Sequence, residues 1–144
     1  MLIVDDDKLI RWSLKEIFAQ EGFKVDTAES SAEALSLVKT NSYHLILADF
    51  EIDDENGGEM LRKIQAIRPG IKVIILSALP RQQIEPHLSG VTYHSILEKP
   101  FRSDEIKSTA GEALNLLSLG ADVRHNGGPA PSLDIDNKNK TQEE

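Results

Sequence analysis

The sequence predicts an α/β fold in which a parallel sheet is covered by helices on both faces. Three observations predict it. Five short apolar runs rich in branched residues alternate with stretches whose apolar residues recur at helical spacing. The central runs are apolar throughout rather than alternating, as strands buried on both sides are. The 144 residues fit one domain with one core.

The elements follow in order. Leu2-Ile3-Val4 reads as a buried strand that ends in polar residues. Ile10, Leu14, Ile17 and Phe18 then mark a helix, with Asp7 as its N-cap and Gly22 closing its C-terminal end. Phe23 to Ala28 alternates and predicts a second strand. Ser30 followed by Glu33 is a capping box opening a helix that carries Ala34, Leu35 and Val38. Leu45-Ile46-Leu47-Ala48 is apolar on both faces, which makes it a central strand. Gly57 and Gly58 precede a helix with Leu61, Ile64 and Ile67, stopped by Pro69-Gly70. Val73 to Leu76 forms a fourth strand, Arg81 to Leu88 a short helix, and Ser95 to Leu97 a fifth strand. Ser103 caps the last helix, through Ile106, Ala110, Ala113, Leu114 and Leu117. The ordered domain is expected to span residues 1–119. Residues 120–144 contain Gly127-Gly128-Pro129, Pro131 and Asp136-Asn137-Lys138-Asn139-Lys140, offer almost nothing apolar to bury, and read as a flexible tail or linker.

Composition excludes several functions. There is no cysteine, so disulfides, thiol catalysis and zinc–thiolate sites are ruled out. A net charge of −8, from 16 basic and 24 acidic residues, repels phosphate backbones and argues against direct nucleic-acid binding. No apolar run is long enough to cross a bilayer, and acids follow the first four residues where a secretory signal would run on, so the expected compartment is the cytoplasm.

In an open parallel sheet, ligands bind at the carboxyl ends of the strands, where the winding reverses. Asp5 and Asp6 follow the first strand, Asp49 the third, Ser77 the fourth and Lys99 the fifth. A single Asp after a strand is usually a turn former or a cap. Several converging on one edge are different, because close carboxylates repel by ~4 kcal/mol per pair at an effective dielectric near 20. A divalent cation and a lysine remove that cost, and oxygen-only ligands favour Mg²⁺.

The stretches "LIVDDD", "LILADFEIDDENGG", "IILSA" and "EKPF", in this order and spacing, resemble the receiver domain of bacterial response regulators over about residues 1–117. The stretch "VDDDKLIRWSL" is similar to receivers of nitrogen-regulatory-type transcriptional activators. The resemblance implies a flavodoxin-like doubly wound sheet of five strands in the order 2-1-3-4-5, with five helices. It implies that Asp49 takes a phosphoryl group from a sensor histidine kinase or phosphotransfer protein. Asp5, Asp6, Asp49 and the main-chain carbonyl of Glu51 would hold Mg²⁺, Ser77 would sense the phosphoryl group, and Lys99 would pair with it or with Asp49. The Lys99-Pro100 bond is expected to be cis. The change would be relayed to the face made by the fourth helix, fifth strand and fifth helix. Dimerisation through the last helix is common in similar proteins, and the chain beyond Gly120 either leads to an output domain or simply ends.

Three positions depart from the family's common pattern. Ile96 stands where an aromatic residue usually couples to the hydroxyl, and it reads equally well as strand core. Asp53 stands where proline is usual, and Glu51 adds an acid beside the site. Glu51, Asp53 and Asp54 are expected either to be solvated or to strengthen the attraction for Mg²⁺. Phe18 is expected in the core, whereas Trp12 falls off the apolar stripe and is either a half-exposed surface residue or a partner contact. Two competing functions remain. A haloacid-dehalogenase-like hydrolase also begins with Asp-x-Asp, but Leu9 stands where that family has Thr or Val. A phosphorylation-independent binding module would not need all five functional side chains.

Overall fold

A computed structural model of the chain describes residues 1–121 apart from Asp54. Met1–Leu114 forms one compact unit. Five strands make its parallel sheet: β1 (Leu2–Val4), β2 (Asp26–Ala28), β3 (Leu45–Asp49), β6 (Lys72–Ser77) and β7 (Ser95–Glu98), in the order β2-β1-β3-β6-β7. Counting these five in sequence, the order is the expected 2-1-3-4-5. Two further strands, β4 (Glu51–Ile52) and β5 (Glu55–Asn56), form a separate antiparallel ladder directly after β3. This small ladder was not anticipated, because two-residue strands leave no periodicity to read.

The helices are α1 (Lys8–Gln20), α2 (Ser31–Thr40), α3 (Gly58–Ile67), the single turn α4 (Arg81–Ile84) continued by a 3₁₀ turn over Glu85–Leu88, and α5 (Ser103–Ala121). Every residue of β3 is buried. Its Leu45 and Leu47 pack with Leu14 and Phe18 of α1 and with Ile106, Ala110 and Ala113 of α5. Ile46 and Ala48 pack on the other face with Ala34 and Val38 of α2, Leu61 and Ile64 of α3, and Ile84 and Leu88. Helices therefore cover both faces, and β3 sits in the middle of a three-layer stack.

The caps largely follow the sequence. Asp7 accepts from the N–H groups of Leu9 and Ile10, and Ser30 Oγ accepts from the Glu33 N–H. The Glu33 carboxylate completes that box by accepting from the Glu29 N–H rather than from that of Ser30. Gly22 adopts φ +93°, a left-handed conformation that ends α1. At α5 the cap lies one residue earlier than expected. The Arg102 carbonyl already accepts from the Ile106 N–H, and the Glu105 carboxylate accepts from the Arg102 N–H.

The second strand is shorter than expected. Phe23 and Val25 still pack into the core on the α1 side, and Phe23 meets Phe18 edge to face at 5.6 Å. At this outer edge of the sheet, side-chain alternation extends three residues beyond the hydrogen-bonded ladder. Helix α5 runs to Ala121, and the remainder of the expected tail lies outside the described residues. Among the described residues no helix is long and apolar enough to cross a membrane.

Candidate functional site

The carboxyl edge of the sheet gathers the expected residues because neighbouring parallel strands end in register. Val4 pairs with Ala48, Asp49 with Leu76, and Ser77 with Glu98, so the residues just beyond those pairs meet at one end. Asp5 and Asp49 are buried and Asp6 is exposed, and one carboxylate oxygen from each lies within 4.8 Å of the others. Lys99 bridges two of them, with Nζ 3.1 Å from Asp5 Oδ2 and 3.3 Å from Asp49 Oδ1. The Lys99-Pro100 bond is cis. Asp5 is further held by the Asp7 N–H at its Oδ1, and its carbonyl accepts from the Arg11 guanidinium.

The electrostatics are those of an undercompensated anion cluster. Burial, then the Asp5 charge beside it, pushes the Asp49 carboxyl up to about 7, against the opposing pull of Lys99 and of the Glu51 N–H, which donates to Asp49 Oδ1 at 3.2 Å. Burial alone would lower the Lys99 ammonium, but Asp49 and Asp5 together carry it above its ordinary value. Three carboxylates face one ammonium, and all the donors are oxygens. A hexacoordinate Mg²⁺ with bonds near 2.1 Å places opposite ligand oxygens about 4.2 Å apart. The carboxylate spacing and donor chemistry therefore fit this ion.

Ser77 is fully buried at the end of β6, as expected of a site residue, yet its partner is one the sequence did not reveal. Its hydroxyl lies 2.8 Å from Glu51 Oε2, and the Ala78 N–H donates to Glu51 Oε1 at 3.1 Å. The Asp53 carboxylate accepts from the Ser31 N–H at 2.8 Å, at the start of α2. Of the three loop acids expected to be solvated or to draw Mg²⁺, Glu51 is engaged by Ser77 and Ala78, Asp53 is exposed while bonded to the Ser31 N–H, and Asp54 lies outside the described residues. Ile96 is buried in the core on the α2–α3 side, which supports its reading as strand core. Phe18 is core, while Trp12 is 60% exposed.

A model of the response regulator receiver domain family matches residues 1–110. Sporulation initiation phosphotransferase F of Bacillus subtilis is 35% identical over 121 residues, covering 82% of this chain and 95% of that protein. The DNA-binding transcriptional regulator NtrC of Azospirillum brasilense is 30% identical over 115 residues, which cover 80% of this chain but only 24% of that larger regulator. Among solved structures, a CheY-like response regulator receiver domain protein from Methanospirillum hungatei is 28% identical with a TM-score of 0.78, covering 83% of this chain and 95% of that one. A sequence whose strand ends place aspartates, a serine and a lysine at one sheet edge, in a sheet of this order, thus matches one family in motif, fold and relatives. The chain belongs to the response regulator receiver domain family.

Proposed function

We propose that Asp49 is the phosphoacceptor of a two-component switch, charged by a sensor histidine kinase or a phosphotransfer protein. The observation that carries this reading is the buried Asp49 carboxylate, held at Oδ1 by Lys99 and the Glu51 N–H, beside Asp5 and Asp6. The oxygen not engaged by these two donors, Oδ2, supplies the electron pair. It forms an O–P bond as the P–N bond of the donor phosphohistidine breaks, and the released imidazole takes up a proton from water. Lys99 stabilises charge on the transferred group, and water later hydrolyses the acyl phosphate to restore the carboxylate.

Asp5, Asp6, Asp49 and the main-chain carbonyl of Glu51 would hold Mg²⁺. Bound there, the ion would supply neutralising charge to the phosphoryl oxygens and keep Asp49 ionised. Ser77, at the end of β6, would report the phosphoryl group toward α4, β7 and α5. With Ile96 in place of an aromatic residue, that report would travel through Ser77 and the Ala78–Pro80 turn rather than through a rotating ring.

Incubation with acetyl phosphate and Mg²⁺ tests the assignment. Intact-mass measurement is expected to show one added phosphoryl group on the wild type and none on Asp49→Asn. An equal gain on both proteins would end the assignment, and steady turnover of many phosphate esters would favour a hydrolase instead.

The partner surface has a candidate beside the site. Leu9 and Trp12 of α1 are 69% and 60% exposed, and a largely apolar cleft of about 500 Å³ runs from Leu9, Ile10 and Ile17 to Lys99, Pro100 and Phe101. Replacing Leu9 and Trp12 together by Ala is expected to slow transfer from a phosphohistidine donor by about tenfold or more. Phosphorylation by acetyl phosphate, which needs no docking, stays within about twofold of wild type.

A further inference from the structure

Glu51 turns its side chain back across the sheet edge to the end of the neighbouring strand. Oε2 accepts from the Ser77 hydroxyl at 2.8 Å and Oε1 from the Ala78 N–H at 3.1 Å. The hydroxyl carries a single proton, and its other potential acceptor, the Leu79 carbonyl, is farther away at 3.1 Å. The charged and nearer carboxylate takes that proton. The Leu79 N–H meanwhile donates to Ser77 Oγ at 2.9 Å, which fixes the oxygen in place. A buried hydroxyl and the next main-chain N–H, converging on two oxygens of one anion, form an anion-binding pair. In this chain the anion is internal.

The strand register puts this pair beside Asp49, which is matched across the β3–β6 ladder with Leu76, the residue before Ser77. A phosphoryl group on Asp49 would present its oxygens to the same two donors, and two anions cannot share them at hydrogen-bonding distance. We infer that the Glu51 carboxylate is a built-in stand-in for the phosphoryl group, occupying the Ser77 and Ala78 donors until phosphorylation of Asp49 displaces it. This inference rests on the reading of Asp49 as phosphoacceptor.

The exchange needs only a side-chain rotation. The backbone of Glu51 is tied to Asp49 through its N–H, and the turn beyond it is tied to α2 through Asp53. Phosphorylation therefore has to break two charge-assisted hydrogen bonds before Ser77 can respond. Glu51 acts as a positioning residue that sets the threshold of the switch.

Beryllium fluoride titrated in Mg²⁺ into the wild type, Glu51→Ala and Glu51→Asp tests the idea, with affinity and the Ala78 amide proton resonance as readouts. Glu51→Ala is expected to bind about tenfold more tightly than wild type. Glu51→Asp keeps the charge but loses reach by one carbon, and it is also expected to bind several-fold more tightly. Without beryllium fluoride, the Ala78 amide proton is expected to move in both variants. With it, the three proteins should converge.

Equal affinities in all three proteins would overturn the stand-in while leaving the phosphoacceptor reading intact. A gain in Glu51→Ala alone would reduce the effect to net charge and would also overturn it. Failure of all three to bind would remove the phosphoacceptor reading, and the stand-in with it.

Discussion

Asp49 is pulled two ways: burial and Asp5 favour its protonated form, while Lys99 and the Glu51 N–H favour the carboxylate, and its pKa settles at about 7. A carboxyl whose folded pKa lies above its unfolded value near 3.8 stabilises the fold fully below that value. This contribution is lost as pH rises through about 7, where the folded protein must ionise a buried acid. In Mg²⁺-free buffer, thermal unfolding is therefore expected to show wild type losing stability between pH 5 and 8 relative to Asp49→Asn, by on the order of 1–3 kcal/mol. A flat difference between the two proteins would contradict this cause. Lys99 works in the opposite direction. Lys99→Met leaves two buried carboxylates without their cation and should cost about 2–4 kcal/mol in urea unfolding at pH 8. The side chains that meet here were legible in the sequence because strand ends are easy to find. The side-chain role of Glu51 was not, since its acceptor geometry depends on Ser77, 26 residues away, and on a rotamer that no periodicity encodes.

Among the elements, α3 lies against the segment from α4 to β7. A Cβ on Gly58 would run into the His87 carbonyl, and Arg62 donates to the carbonyls of His87 and Ser89. Gln65 exchanges two hydrogen bonds with the backbone of Thr92. Gly58→Ala must push this backbone apart and is expected to lower stability by about 2–3 kcal/mol, measured by chemical denaturation. Asp53 is a second strained point. It sits at φ +58° and accepts from the Ser31 N–H at the start of α2. The helix-start interaction and a left-handed backbone, which proline with φ of about −65° could not adopt, suit an aspartate at this turn. Element boundaries were legible where caps or Pro-Gly pairs mark them, as at Asp7, Ser30 and Pro69. They blurred at the Phe23–Val25 approach to β2 and at Arg102, where tertiary packing and a side-chain bond from Glu105 decide the ends.

For the whole molecule, Mg²⁺ bound at the proposed site would link folding to divalent cations. Saturating Mg²⁺ at about 100 times its dissociation constant should add about 2.7 kcal/mol to the stability of the folded state, read as a rise in Tm. Asp6→Asn is expected to abolish most of that rise while scarcely altering Tm in metal-free buffer, because Asp6 is exposed. An undiminished Mg²⁺ response in Asp6→Asn would remove this aspartate from the metal site.

The central strand carries a consequence for how such a domain can diversify. Because β3 is sandwiched between two helical layers, the strand that carries Asp49 is positioned by buried packing on both faces. The outward-facing residues of α1, Leu9 and Trp12 among them, take no part in that packing. Recognition can therefore be rewritten on the outside of the molecule without retuning the chemistry at its centre.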